Sequence, residues 1–166
     1  LNGEEAGAEG RAFGHIVTGP NTGVTYQLPY LGRFSWENAI ASPATGDKTV
    51  VAGTDDATPG QVYMYIGTKQ NTGNEIEKAG LDDGKLFGVA VSGLATEVSG
   101  SFIAPNTPFT MVDLGNVANI TGAALNTASN TTGVTAFLRP EDGAWDASSP
   151  SDFYFVTTNG FNSPSR

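Results

Sequence analysis

Short runs of alternating apolar and polar residues dominate this chain, and none longer than about ten residues keeps a helical period. Residues 61–67 (QVYMYIG) put Val62, Met64 and Ile66 on one side and Tyr63 and Tyr65 on the other, the alternation of a strand. Residues 85–92 (KLFGVAVS) alternate in the same way, and residues 49–53 (TVVAG) read as a buried strand. Residues 13–18 (FGHIVT) and 25–28 (TYQL) flank a Gly-Pro-Asn-Thr-Gly turn and predict a hairpin. Residues 68–84 are polar and of mixed charge, and read as a loop. The order strand, turn, strand, loop, strand packs antiparallel strands into about forty residues, close to the content of one propeller blade.

Two other stretches break this pattern. Residues 98–133 carry one charged residue, Asp113, in a background of Asn, Thr, Ala and Gly. They read as an insertion between blades, with a short helix over 123–128. Residues 2–10 are acidic and Gly-rich, the composition of a flexible tail.

Residues 37–55 and 141–159 match each other without a gap. Each opens with Glu followed by Asn or Asp. Each continues through a turn rich in Ser, Pro and Asp into an apolar strand, and each ends in Thr-Asp or Thr-Asn. The shared positions are hard oxygen ligands at strand ends, so Glu37 and Glu141 are expected at equivalent places in two similar sheet units.

Composition narrows the function classes. With 22 Gly and 9 Pro, the chain favours many strands joined by tight turns. A net charge of −9 lacks the clustered cations of a nucleic-acid surface. It suits a hard cation, and ordinary solubility equally. The chain has no cysteine, which excludes disulfides and thiolate metal sites. No apolar run approaches the ~20 residues of a membrane span. The chain starts at Leu1, and both ends are expected to be cut from something longer.

Gly32-Arg-Phe-Ser-Trp-Glu-Asn38, Thr54-Asp-Asp56, Gln61-Val-Tyr-Met-Tyr65 and Arg139-Pro-Glu-Asp142 resemble, in order and spacing, the PhoX-type alkaline phosphatase family of exported bacterial proteins. The resemblance runs from about Asn2 to Arg166 and is weakest in the Asn-rich stretch. It implies an all-β fold: residues 1–166 would form one partial β-propeller, about three blades of six. A full ring needs roughly 240–300 residues, so the remainder of the propeller, or another fragment, would complete it. It also implies a periplasmic or extracellular protein and a phosphomonoesterase site at the propeller axis, with iron and calcium held by carboxylates and one cysteine. The family's Cys-Glu-Glu falls on Gly3-Glu4-Glu5, with Gly3 at the cysteine. Trp36 replaces the His of the family's His-Glu motif, Glu37 matches its Glu, and Glu141 matches the Glu of Arg-Pro-Glu. An all-oxygen calcium site is the reading that survives these departures. Calcium takes six to eight oxygens, and convergent acids repel unless a cation neutralises them.

The candidate ligands are Glu4, Glu5, Glu37, Asp55, Asp56, Glu141, Asp142 and Asn159. Glu4 and Glu5 could equally be solvated tail residues, and Asp55 and Asp56 could serve Asx-turn chemistry. Arg139 could hold a substrate phosphate or pair with a neighbouring carboxylate. Asp82-Asp-Gly-Lys85 lacks the ligand spacing of a calcium loop and reads as a turn. Two functions fit: a metal-dependent phosphomonoesterase taking a phosphate ester, or a non-catalytic, calcium-stabilised binding or structural propeller of the cell exterior.

Overall fold

The computed structural model describes residues 1–159, so residues 160–166, the end of the family resemblance, lie outside the described part. Antiparallel sheets build the chain, as the alternation predicts. The central sheet holds β4 (Trp36–Ala41), β5 (Lys48–Asp55), β6 (Val62–Thr68), β7 (Lys85–Val91) and β8 (Phe109–Gly115), in that order. A second sheet joins β1 (Asn2–Gly3), β2 (Ala12–His15) and β3 (Thr25–Gln27). A hairpin of β9 (Pro140–Trp145) and β10 (Phe153–Thr157) forms the third.

Both faces of the sheet are buried along much of β5, β6 and β7, because period-two alternation there places apolar side chains on each. Val51, Tyr63, Tyr65 and Leu86 point into one core with Phe34, Trp36, Leu125 and Val117. Ala52, Val62, Met64 and Val89 point into the other with Phe137, and Trp145, Phe153 and Phe155 of the hairpin pack against them. The register fixes this division: Val51 faces Tyr65 and Ala52 faces Met64 across β5 and β6. A slip of one residue would exchange the two faces.

Three segments depart from the sequence reading. The acidic start is a built part of the fold and not a flexible tail. Glu4 N–H donates to Arg11 O at 2.9 Å, Trp36 N–H to Glu4 O at 3.2 Å and Phe34 N–H to Gly10 O at 3.2 Å. These bonds reach residues distant in sequence, which composition does not reveal. The Asn-rich stretch supplies β8, the edge strand beside β7, and a helix, α1 (Gly122–Thr132), longer than the expected one. Thr121 caps it by accepting the Ala124 N–H, and Gly133, with φ 85°, ends it in the left-handed conformation. The polar loop after β6 holds one short helical turn, Glu75–Lys78, closed by a capping box between Asn74 and Glu77.

Tyr65 pins the centre of the sheet to the loop beside it. Its fully buried hydroxyl donates to Gly80 O at 2.9 Å and accepts from Gly84 N–H at 3.0 Å. Tyr65→Phe removes both bonds at nearly constant shape and strands two backbone groups. The expected loss is about 1–3 kcal/mol, read as a lowered Tm; an unchanged Tm would mean that water replaces the hydroxyl.

Candidate metal centre

Two hairpins of the same design meet at one rim of the fold. Glu37 is the second residue of β4, which pairs with β5. Glu141 is the second residue of β9, which pairs with β10. The residues that follow them touch: Asn38 Nδ2 donates to Asp142 Oδ1 at 3.0 Å. Further along, Trp145 Nε1 donates to Ile40 O at 3.0 Å and Ser42 Oγ to Pro150 O at 3.1 Å. The two first strands therefore lie side by side and are joined by side chains. The match between the motifs slips in the second strands. Trp36 faces Asp55, but Pro140 faces Thr157, so Thr157 and not Asn159 holds the place of Asp55. The turn of the second hairpin is shorter, which a gapless alignment conceals.

The turn after β5 delivers Asp56, whose N–H donates to Ser35 O at 2.8 Å. The backbone bonds of Glu4 to Arg11 and Trp36 bring Glu5 to the same place. One carboxylate oxygen from each of Glu5, Glu37 and Asp56 lies within 4.8 Å of the other two. Arg139 stands beside them. Its Nε lies 2.7 Å from Asp56 Oδ1, and its Nη2 donates to Asp56 Oδ2 at 3.2 Å. Its Nη1 pairs with Glu141 and donates to Thr158 Oγ1 at 3.2 Å. Thr158 Oγ1 donates in turn to Glu141 Oε1 at 2.9 Å. The guanidinium thus forks onto Asp56 and reaches a second carboxylate with its remaining edge.

Charge repulsion is visible at the site. The Glu37 carboxyl is held above its ordinary value, first by burial and then by the charges of Glu141, Asp56, Glu5 and Asp142. Asp56 is also raised, by burial and by its hydrogen-bonded neighbour Glu5, while Arg139 pulls the other way. Arg139 supplies one positive charge against these carboxylates, which leaves an excess that a divalent cation would balance.

The structure does not gather every candidate. Glu4 turns away, and its Oε2 accepts the Arg11 N–H at 3.2 Å. Asp55 is not among the three converging acids, and its Oδ1 accepts the Ser35 N–H at 3.2 Å. Asp55 and Asp56 both line a cavity of about 180 Å³ with Arg33, Tyr63 and Asn126. Asn159 closes a turn through its backbone, donating to Leu138 O at 2.9 Å. Sequence reasoning missed Asn38 and Thr158, whose only signal is that each neighbours a candidate ligand, Glu37 and Asn159.

The donor set is hard, and suits a hard cation. Glu5, Glu37 and Asp56 offer hard oxygens, which fit calcium. An iron–thiolate site does not fit, since the chain has no cysteine. A Cβ added at Gly3 would overlap Cβ and Cγ of Trp36. The Trp36 indole stacks on Phe34 with ring centroids 3.9 Å apart, and its buried N–H has no hydrogen-bond partner among the described residues.

Fold and site together define a β-rich, propeller-like protein with a carboxylate rim. A family model described as alkaline phosphatase PhoX matches residues 6–165, and the chain belongs to that family. No curated protein matches it significantly. Among solved structures it is similar to Pseudomonas fluorescens PhoX in complex with vanadate, a transition state analogue. The TM-score is 0.61 and the identity 19%, over 82% of this chain and 25% of that one. The likeness is one of fold, and the chain spans about a quarter of that protein's length. Among the described residues no helix is long and apolar enough to cross a membrane.

Burial pushes the Asp55 carboxyl up to about 7, against the pull of hydrogen bonds from Ser35 and Gln61, and the charge of Asp56 adds to the rise. The folded state therefore holds this proton more tightly than the unfolded chain, where Asp titrates near 3.8. The stability it contributes is complete below that value and is lost as pH rises through about 7. Asp55→Asn keeps an acceptor for Ser35 and removes the titration. In calcium-free buffer its Tm advantage over the parent is expected to grow between about pH 4 and pH 8; a constant difference would refute the assignment.

Proposed function

We propose that this chain is a segment of an exported, calcium-binding propeller that hydrolyses phosphomonoesters in its full-length form. The convergence of Glu5, Glu37 and Asp56 carries this reading, since three carboxylate oxygens within 4.8 Å call for a cation. On this reading Glu141 and Asp142, whose charges act on Glu37, would add oxygens from the second hairpin. Calcium bound there would attract phosphate oxygens and stabilise developing negative charge. Arg139 holds Asp56 and Glu141 in place, and exchanging one carboxylate for a substrate phosphate would let its fork grip the ester. The remainder of the propeller is the partner. It would cover an apolar cleft of about 670 Å³ lined in part by Val50, Met64, Val91, Phe109, Phe153 and Phe155. The family's export supports a periplasmic or extracellular location, and the acidic charge argues against nucleic acid as partner.

One observation favours a second reading, a calcium-stabilised propeller without turnover. The Trp36 indole fills the space beside Gly3 where the family's thiolate would sit. On this reading both departures from the family are one change, a bulky ring for a metal ligand and its neighbour. Gly3→Cys alone is then expected to lower the Tm through overlap with Trp36, an overpacking cost of typically about 1–3 kcal/mol, and to bind no iron. Paired with Trp36→His, the cost should shrink. A single Gly3→Cys variant that melts like the parent and retains iron through gel filtration would defeat this second reading.

Calcium that binds only the folded state raises stability by about 2.7 kcal/mol at a hundredfold excess over Kd. Millimolar calcium is expected to raise the Tm, and a chelator to reverse the rise. Glu37→Gln keeps shape, removes a charge and should blunt the response. A Tm indifferent to calcium and chelator would end the calcium reading. For turnover, the full-length protein should release phosphate from a phosphomonoester in a chelator-sensitive way, and failure there with the calcium response intact selects the non-catalytic reading.

A further inference from the structure

A buried glutamate outside the cluster holds the part of the chain that presents Arg139. Glu97 is only 4% exposed. Its backbone N–H donates to Ala136 O at 2.8 Å, and Thr96 bridges Ala136 in parallel. Its carboxylate reaches two segments at once: Oε2 accepts the Leu138 N–H at 2.8 Å, and Oε1 accepts the Thr157 hydroxyl at 3.0 Å. A buried carboxylate is costly unless it is satisfied in this way.

Both partners are sequence neighbours of site residues. Leu138 precedes Arg139, whose φ of 60° is left-handed. That conformation is disfavoured for an L-residue, so contacts must hold it. Backbone bonds do part of this: Arg139 N–H donates to Phe137 O at 3.1 Å, Asn159 N–H to Leu138 O at 2.9 Å and Thr158 N–H to Arg139 O at 3.2 Å. The Glu97 carboxylate adds a side-chain bond, to the Leu138 N–H. Thr157 precedes Thr158, whose hydroxyl is shared between Arg139 and Glu141. One side chain therefore ties the turn that aims the guanidinium to the strand end that supports it.

We propose that Glu97 is a positioning residue for the carboxylate rim: it fixes the Leu138–Arg139 turn against the end of β10, and through Arg139 it sets Asp56 and Glu141. The inference rests on reading the cluster as a calcium site. Glu97 is no ligand; it acts at second hand, where such partners typically change metal affinity by about 10–100-fold.

The test measures calcium affinity of the full chain by titration calorimetry, alongside the Arg139 Nε–H resonance by NMR and the Tm. Glu97→Ala is expected to weaken calcium by about tenfold or more and to shift the Arg139 resonance toward that of a solvated arginine. Glu97→Gln keeps an acceptor for Leu138 and gains a donor for Thr157, so it should restore both readouts. Thr157→Val removes one bond with little change of shape, should fall between, and replaces Glu97→Ala if that variant does not fold. A folded Glu97→Ala or Thr157→Val variant with a lower Tm but parental calcium affinity and an unmoved Arg139 resonance would reduce Glu97 to a structural clasp and overturn the proposal. If the parent binds no calcium, the calcium reading has failed on its own account. The Arg139 resonance then decides alone whether Glu97 positions the guanidinium.

Discussion

Mutual repulsion among carboxylates at one rim is the constraint on which this structure turns. Two unit charges about 4 Å apart interact by roughly 4 kcal/mol at an effective dielectric of about 20. Glu5, Glu37 and Asp56 approach one another closely, and Glu141 and Asp142 add their fields to Glu37. Among the described residues, Arg139 is the cation that pairs with these carboxylates. Its side chain is 18% exposed, and the Asp56 side chain it grips is 6% exposed. At that burial a charge pair matters more for geometry than for net stability, because desolvation offsets much of the attraction. The guanidinium therefore shapes the rim and leaves its charge excess to be balanced from outside.

The rest of the fold follows from the need to bring these groups together from distant parts of the chain. The N-terminal sheet is short, yet its bonds to Arg11, Phe34 and Trp36 deliver Glu5. The paired hairpins deliver Glu37 and Glu141 from equivalent positions, and the Asn38–Asp142 bond joins them. Packing of both faces of the central sheet makes this platform rigid, with Tyr65 buried on one side and Met64 on the other. Helix α1 locks the N-terminal segment from outside, since the Gly122 N–H donates to Glu9 at 2.9 Å and Glu9 also pairs with Arg33. The floor of the site is thus made by local strand physics, and its walls by long-range contacts.

Trp36 and Gly3 fit each other closely beside the rim. The ring occupies the volume that a side chain at Gly3 would take, and it stacks on Phe34 as part of the main core. The aromatic area gained is apolar and buried, which stabilises the fold. The unpaired indole N–H is the cost that remains, and it marks Trp36 as a residue placed for packing.

The sequence by itself determined the strands whose side chains alternate, such as Val62–Thr68 and Lys85–Val91, because period-two patterning is local and both faces are buried. It also determined the two Glu-bearing motifs and the acids that could hold a cation. It did not determine β8, whose apolar residues Phe109, Met111, Val112 and Leu114 sit inside a stretch dominated by Asn, Thr and Gly, nor the order of the polar, Gly-rich N-terminal residues, which have no periodic signal and are ordered through distant backbone partners. Nor did it separate Asp55 from Asp56. Asp56 closes on Glu5 and Glu37 while Asp55 accepts the Ser35 N–H, and both choices are made by groups distant in sequence. Which acids converge, and that Arg139 and Glu97 hold them, was decided only in three dimensions, where the packing of two hairpins and the closing of one left-handed turn set the distances.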